Sequence, residues 1–158
     1  MATIKTTRLC EGLGVSRDAL NQWISRGLIK PEAPADLGYA RDWALRDVLR
    51  VAISARLLDT GIRLRQPEGA GGPDQPLVEA LRYLRGFKRD RAFLLVQAPL
   101  AGSFRHRLVP GAQLAEALLP HPQHPPLAFS VAIDLDAIEA EVLATFPELR
   151  DSSPAPAA

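Results

Sequence analysis

Hydrophobic and polar positions repeat with a helical period over most of residues 4–65, and residues 17–26 show it most clearly. At about 100° per residue, the apolar residues of this segment fall on one half of a helix and the polar residues on the other. The apolar half consists of Ala19, Leu20, Trp23 and Ile24. The polar half consists of Arg17, Asp18, Asn21, Gln22, Ser25 and Arg26. The pattern predicts three short helices in residues 4–65, with a fully two-sided second helix.

Local signals mark the ends of that second helix. Gly14 suits the left-handed conformation that stops the first helix. Ser16 can cap the second helix through its hydroxyl, and Asp18 is favourable at its positive end. Gly27 ends the second helix. Two short extended pieces, residues 28–30 and 39–43, then flank a tight loop and predict a β-hairpin wing.

The pattern changes after a glycine- and proline-rich break at residues 66–75, which we interpret as a linker. A helix is predicted at residues 76–86. The predicted strands and helices that follow are strand 92–97, strand 104–109, helix 110–119, strand 128–133 and a last helix from Asp134 or Asp136 to about Phe146. This order favours a three-stranded mixed sheet with helices on one face.

The predicted fold class is therefore α+β. An N-terminal winged helix-turn-helix occupies residues 1–65, and a small α/β domain with a three-stranded sheet occupies residues 76–147. Residues 148–158 are predicted to form a disordered tail.

Composition narrows the function classes. The 158 residues are 47% hydrophobic and 23% charged, which argues against wholesale disorder. The net charge of +1 excludes a uniformly basic DNA coat. It is the sum of two opposed halves, because residues 1–65 carry a net +4 and residues 66–158 a net −3. Such asymmetry favours nucleic-acid contact by the first half.

The sequence lacks the signals of membrane, secreted, disulfide-bonded and metal-binding proteins. No apolar run approaches the roughly 20 residues of a membrane helix, and residues 1–8 have no apolar core of a secretory signal, so we expect a cytoplasmic protein without membrane contact. The single cysteine, Cys10, excludes an internal disulfide and is expected to be a packed thiol. His121 and His124 lie in a proline-rich loop without further ligands, so we expect no metal and no other cofactor.

The sequence contains no recognisable set of catalytic residues, so we do not expect the protein to be an enzyme. The acidic residues of the last predicted helix have no paired histidine and no glycine-rich substrate loop beside them, so they are interpreted as its cap and its solvated face. These residues are Asp134, Asp136, Glu139 and Glu141. A basic run at residues 82–91 is interpreted as a solvated helix end, with an extension of a phosphate-contacting surface as the alternative.

The polar half of the second helix has unusual chemistry for a merely solvated face, which is typically rich in Glu and Lys. Asn and Gln side chains can pair with adenine, and Arg can pair with guanine, in the major groove. If the apolar half packs on the first helix through Leu9 and Leu13, the polar half is exposed for insertion into that groove. Lys30, Tyr39 and Arg41 of the predicted wing are placed to meet phosphates.

The ensemble of motifs resembles the MerR-type winged helix-turn-helix family. The resemblance rests on Leu13-Gly14-Val15-Ser16, on Arg26-Gly27-Leu28-Ile29 with Pro31, on Gly38-Tyr39, and on Leu57–Ile62 with its glycine ending. It covers about 60 of the 158 residues. Double-stranded DNA binding, usually as a dimer on a two-fold site, is what the resemblance implies. The site residues so predicted are Arg17, Asp18, Asn21, Gln22, Arg26, Lys30, Tyr39 and Arg41.

The chain also departs from the family pattern. Asn21 and Gln22 stand where the family commonly has arginine followed by tyrosine, and the metal-sensing cysteines are absent. The long C-terminal helix of the family's dimer coiled coil is replaced by the break and the α/β segment. We therefore expect the C-terminal region to mediate homodimerisation or contact a protein partner. A small-molecule effector pocket in this region is a further alternative.

The predicted function is that of a sequence-specific transcriptional regulator of the MerR type. Two alternatives stay open at this point. A phage-type packaging or excision factor would use the same module in cooperative, DNA-bending assemblies. A winged-helix interaction adaptor would not touch DNA at all, and its DNA binding would be absent even at low salt.

Overall fold

A computed structural model describes residues 2–29, 31, 41–60, 91–99, 105–119 and 127–152 of the chain. The predicted linker, the helix at residues 76–86, the histidine loop and Lys30 and Tyr39 lie outside the described residues.

The N-terminal part contains the three predicted helices and two short strands. Its elements are β1 (Thr3–Lys5), α1 (Thr6–Leu13), α2 (Arg17–Ser25), β2 (Asp42–Ala44) and α3 (Leu45–Asp59). α1 and α2 form the helix-turn-helix, and Leu9 and Leu20 are fully buried in the same hydrophobic cluster as residues of α3. α3 is buried along most of its length, and both β2 and the helix Leu135–Thr145 pack against it.

The strand predicted near residues 39–43 pairs with a different partner from the one expected. β2 pairs antiparallel with β1, and Trp43 is opposite Ile4. Residues 28 and 29 are not in a strand, because their backbone N–H groups both donate to the Trp23 carbonyl at the end of α2. The predicted pairing of residues 28–30 with residues 39–43 is therefore wrong for the described residues. A helix C-terminal motif takes up the donors that a ladder would need.

The C-terminal part is an antiparallel sheet with helices. Its elements are β3 (Ala92–Pro99), β4 (Arg105–Pro110), a 3-10 turn (Gly111–Gln113), α4 (Leu114–Leu118), β5 (Leu127–Asp134), α5 (Leu135–Thr145) and a 3-10 helix (Pro147–Ser152). The strand order is β4-β3-β5, and β3 is antiparallel to both neighbours. The expected mixed sheet is thus wrong in strand direction. The parallel strands β4 and β5 are not neighbours, because β3 lies between them.

The 3-10 helix corrects the predicted start of the tail. Residues 148–152 were expected to be disordered, but Leu149 is fully buried in the core. Burial of this side chain supplies the apolar stabilisation that an isolated polar tail lacks.

One hydrophobic cluster joins the two parts. Leu9, Leu20 and Trp43 of the N-terminal part belong to the same cluster as Leu94 and Val142 of the C-terminal part. α5 packs on α3 and the 3-10 helix packs against β1. The described C-terminal elements therefore complete the core of the helix-turn-helix.

Gly12 of α1 lies close to Phe146 across this junction. A Cβ atom at Gly12 would lie 2.5 Å from Cε1 of Phe146 and 2.9 Å from Cγ2 of Thr145. Arg8 lies beside the same ring, 5.1 Å from its centroid, and donates a 2.7 Å hydrogen bond to the carbonyl of Thr145. The absence of a side chain at Gly12 is what lets α1 and the end of α5 approach this closely.

Candidate nucleic-acid interface

The ends of α2 are fixed by the local signals in the sequence. Ser16 Oγ accepts a 3.1 Å hydrogen bond from the backbone N–H of Ala19, which confirms the predicted cap. Gly14 has a φ of 65° and Gly27 a φ of 69°, so both occupy the left-handed region. At the C-terminal end, the N–H of Leu28 donates to the Trp23 carbonyl at 2.8 Å, which is the long bond of a Schellman motif. α2 is therefore held at both ends.

The two halves of α2 have the environments that the pattern predicted. Leu20 is fully buried, and the other three residues of the apolar half, Ala19, Trp23 and Ile24, are half-buried against the core. All six residues of the polar half are exposed, namely Arg17, Asp18, Asn21, Gln22, Ser25 and Arg26. The apolar contacts fix the rotation of α2 about its axis, so these polar side chains share one solvent-facing surface, which we call the α2 face.

Most described cationic side chains of the N-terminal part outside the α2 face form ion pairs or hydrogen bonds within the protein. Lys5 pairs with Asp42, Arg50 with the buried Asp47, and Arg56 forms two hydrogen bonds to Glu141. Arg8 is held by the end of α5 and by Glu148 at 3.7 Å.

Among the described residues, by contrast, none forms a hydrogen bond or ion pair with the side chain of Arg17 or Arg26. Positive charge available to an external anion is thus placed at the two ends of α2.

The predicted wing residues are only partly described. Arg41 immediately precedes β2 and is half-buried, with its guanidinium 5.6 Å from the centre of the Trp43 ring. Its carbonyl accepts a 3.3 Å hydrogen bond from Thr6. Within the described part of the chain, its buried Nε atom has no hydrogen-bond partner. Arg41 therefore lies outside the α2 face.

The two tryptophans and the cysteine pack within the N-terminal part. Trp43 is buried and its indole N–H donates a 3.0 Å hydrogen bond to Thr6, whereas Trp23 is only half-buried against the core. Cys10 is partly buried in α1, and burial raises the pKa of its thiol, although Arg17 nearby opposes this effect. The elevated pKa is consistent with a packed thiol.

The acidic residues of α5 serve the structure. Asp134 caps α5 by accepting from the N–H of Ala137 at 3.1 Å, and it also pairs with Arg91. This ion pair and the cap hydrogen bond hold the pKa of Asp134 below its ordinary value. Asp136 accepts from the N–H of Ala92. Glu139 is buried, so its expected place on a solvated face is wrong; α5 packs on α3 and β3 and is not freely solvated.

Sequence reasoning singled out neither Arg8 nor Phe146. Their contacts join residues separated by 137 positions, which no local period reveals. The one available signal was Gly12 inside an otherwise regular helical pattern, since a glycine there often marks a close approach of another element.

Comparison with known proteins identifies the N-terminal part. Residues 4–66 match the family model described as MerR HTH family regulatory protein. A search of curated proteins gives no match to the chain. In the described part of the chain, no helix is both long and apolar enough to span a membrane. The family is one of DNA-binding regulators and not of enzymes. Through residues 4–66, which carry the helix-turn-helix and its α2 face, the protein has the DNA-binding region of the MerR-type family of transcription regulators.

Proposed function

We propose that the protein is a transcriptional regulator that binds double-stranded DNA sequence-specifically as a homodimer, with α2 in the major groove. The observation that carries the proposal is the α2 face. Its six side chains are exposed together, while the opposite half of α2 packs on the core. A rigidly held helix with an exposed polar face is the geometry that groove insertion requires.

The chemistry of the α2 face suits base recognition. Asn21 and Gln22 each offer a donor and an acceptor, the pair that adenine presents in the major groove. Arg17 lies one helical turn before Asn21, in the N-terminal part of α2, from which recognition helices contact base edges. Asp18 can accept a hydrogen bond from the amino group of cytosine. We expect a half-site that contains both adenine and a G·C pair.

Charge supports the same orientation. The side chains of Arg17 and Arg26 have no hydrogen-bond or ion-pair partner among the described residues, so they can meet a guanine edge or a phosphate without breaking a contact with that part of the chain. Lys30, Tyr39 and Arg41 follow α2 in the sequence, and we assign them phosphate contacts beside the groove. The remaining described cations of the N-terminal part are less available, because most already pair within the protein.

The test is DNA binding by the full chain. Sequences selected from a random duplex library are labelled, and affinity is measured by fluorescence anisotropy at several salt concentrations. We expect Arg17→Ala to weaken binding about tenfold, as for the loss of one good base or phosphate contact. A phosphate contact would also lower the slope of log affinity against log salt by about 0.9.

The matched control is Arg150→Ala, which removes the same charge from the exposed surface of the C-terminal 3-10 helix. We expect it to leave affinity within about twofold of the wild type, because long-range charge effects are screened at physiological salt. Absence of duplex binding at low salt, or equal losses from Arg17→Ala and Arg150→Ala, would overturn the proposal.

A further inference from the structure

One side of α1 is held by the end of α5. Arg8 and Gly12 are one helical turn apart, so they lie on the same side of α1. Nη2 of Arg8 donates a 2.7 Å hydrogen bond to the Thr145 carbonyl, and the guanidinium lies 5.1 Å from the centroid of the Phe146 ring. Gly12 leaves room for the same ring, since a Cβ atom there would lie 2.5 Å from its Cε1 atom. We call the contact of Arg8 with Thr145 and Phe146 the Arg8 clamp.

The position of α1 in turn determines the position of α2. The two helices are in contact, and Leu9 of α1 and Leu20 of α2 belong to one buried cluster. The turn between them is closed by two hydrogen bonds, because the backbone N–H groups of Gly14 and Val15 both donate to the Cys10 carbonyl. Close-packed interiors transmit displacements with little compression. A shift of α1 therefore moves the α2 face with it.

The guanidinium of Arg8 is engaged within the protein. A hydrogen bond from a charged donor is stronger than one between neutral groups, and a cation over an aromatic face adds a further attraction. Glu148 lies 3.7 Å from Nε, but an exposed ion pair of this kind contributes little. Thr145 and Phe146 are therefore the main partners of Arg8. A phosphate contact by Arg8 would have to compete with both of them.

We propose that Arg8 is a positioning residue for DNA recognition. Through the Arg8 clamp, the end of α5 holds α1, and with it the α2 face, in the orientation that base contacts require. A recognition site must be held within about 0.5 Å and 10–20° of its productive geometry, whereas phosphate contacts carry no sequence information. This role rests on the proposed function, because it needs DNA bound by the α2 face. It makes sequence-specific binding, and not DNA binding in general, depend on the clamp.

Loss of the clamp should lower sequence selectivity. Fluorescence anisotropy measures the affinity of the full chain for the selected duplex and for a scrambled duplex of the same composition, at a temperature where circular dichroism shows each variant to be folded. We expect Arg8→Ala to weaken binding to the selected duplex about tenfold, as for the loss of one good base contact. Affinity for the scrambled duplex should stay within about twofold of the wild type. The slope of log affinity against log salt should not change, because no phosphate contact is removed.

Phe146→Leu tests the same clamp from its other side. The Phe146 side chain has no exposed surface, so it cannot touch DNA, and its replacement should also lower selectivity. The double variant with Arg8→Ala should lose about as much as the larger single effect, because both changes act through one contact. If Phe146→Leu does not fold, Arg8→Ala decides alone, since the Arg8 side chain is 47% exposed and its truncation leaves no buried cavity.

Arg56→Ala is the matched control. It removes the same charge and breaks an ion pair between the N-terminal part and Glu141 of α5, but Arg56 belongs to α3 and not to α1. Affinity for both duplexes should stay within about twofold of the wild type. A loss of selectivity equal to that of Arg8→Ala would contradict a specific role of the clamp.

The remaining outcomes separate the two proposals. A wild type that binds no duplex contradicts the proposed function, and the clamp with it. Selective binding by the wild type that both Arg8→Ala and Phe146→Leu retain contradicts the clamp alone. Equal losses on both duplexes, with a salt slope lowered by about 0.9, would make Arg8 a phosphate contact and overturn its positioning role. The positioning role is also overturned if the loss disappears once affinity is corrected for the unfolded fraction.

Discussion

A methyl group added at Gly12 tests whether the end of α5 is an integral part of the helix-turn-helix. Gly12→Ala would ordinarily stabilise a helix, since alanine is favoured over glycine by about 1 kcal/mol in a helix interior. Here the added Cβ atom would lie 2.5 Å from Cε1 of Phe146 and 2.9 Å from Cγ2 of Thr145. Both distances are well inside van der Waals contact.

The magnitude follows from the surroundings of Phe146. Its side chain has no exposed surface, so the ring cannot rotate into solvent to make room. Overpacking a core costs about 1–3 kcal/mol, and a clash with a fully buried ring belongs at the upper end. After the gain in helix propensity is subtracted, we expect Gly12→Ala to lower the free energy of unfolding by about 2 kcal/mol. For a chain of this size the Tm should fall by about 4–8 °C.

The assay is urea unfolding followed by tryptophan fluorescence, together with thermal unfolding followed by circular dichroism. Phe146→Leu removes the ring atoms nearest to Gly12, so the double variant should be more stable than the sum of the two single effects predicts, by about 1 kcal/mol or more. If Gly12→Ala matches or exceeds the wild type in stability, the close packing of α1 on α5 is refuted.

Three further effects follow from single contacts. Ser16→Ala removes the cap of α2 and should lower the free energy of unfolding by about 1 kcal/mol in the same urea assay. Thr6→Val leaves the buried indole N–H of Trp43 without its acceptor and should cost about 1–3 kcal/mol. Asp134 has a pKa lowered by Arg91 in the folded state, so its contribution is present above its unfolded pKa and is lost as pH falls through the folded value. Asp134→Asn should therefore flatten the fall in the urea midpoint below about pH 4, and an unchanged slope would count against the ion pair.

Features set by neighbouring residues could be predicted from the sequence. The two-sided pattern of α2, its Ser16 cap and the left-handed glycines at 14 and 27 involve residues within a few positions of one another. Local hydrogen bonds and side-chain periodicity determine such features. The exposure of the polar residues of α2 could be predicted for the same reason.

Features that depend on distant parts of the chain could not be predicted. The pattern after α2 indicated extended segments, but it did not show that β2 pairs with β1 and not with residues 28–30. In that pairing Trp43 is buried in the core. Strand periodicity also does not specify the order of the strands. The sheet is antiparallel because β3 lies between β4 and β5 and runs opposite to both. Glu139 was misplaced because its burial is set by packing against other elements.

The contact between Arg8 and the end of α5 has a consequence for synthesis of the protein. Residues 8 and 145 are separated by 137 positions, so they meet only after nearly all of the described chain has left the ribosome. At about 5–20 residues per second, α1 and α2 spend several seconds without Phe146 and Leu149 in their core. During that interval the nascent helix-turn-helix exposes apolar surface that the finished protein covers. The complete core of the helix-turn-helix therefore forms only after Phe146 and Leu149 have been made, long after its own helices.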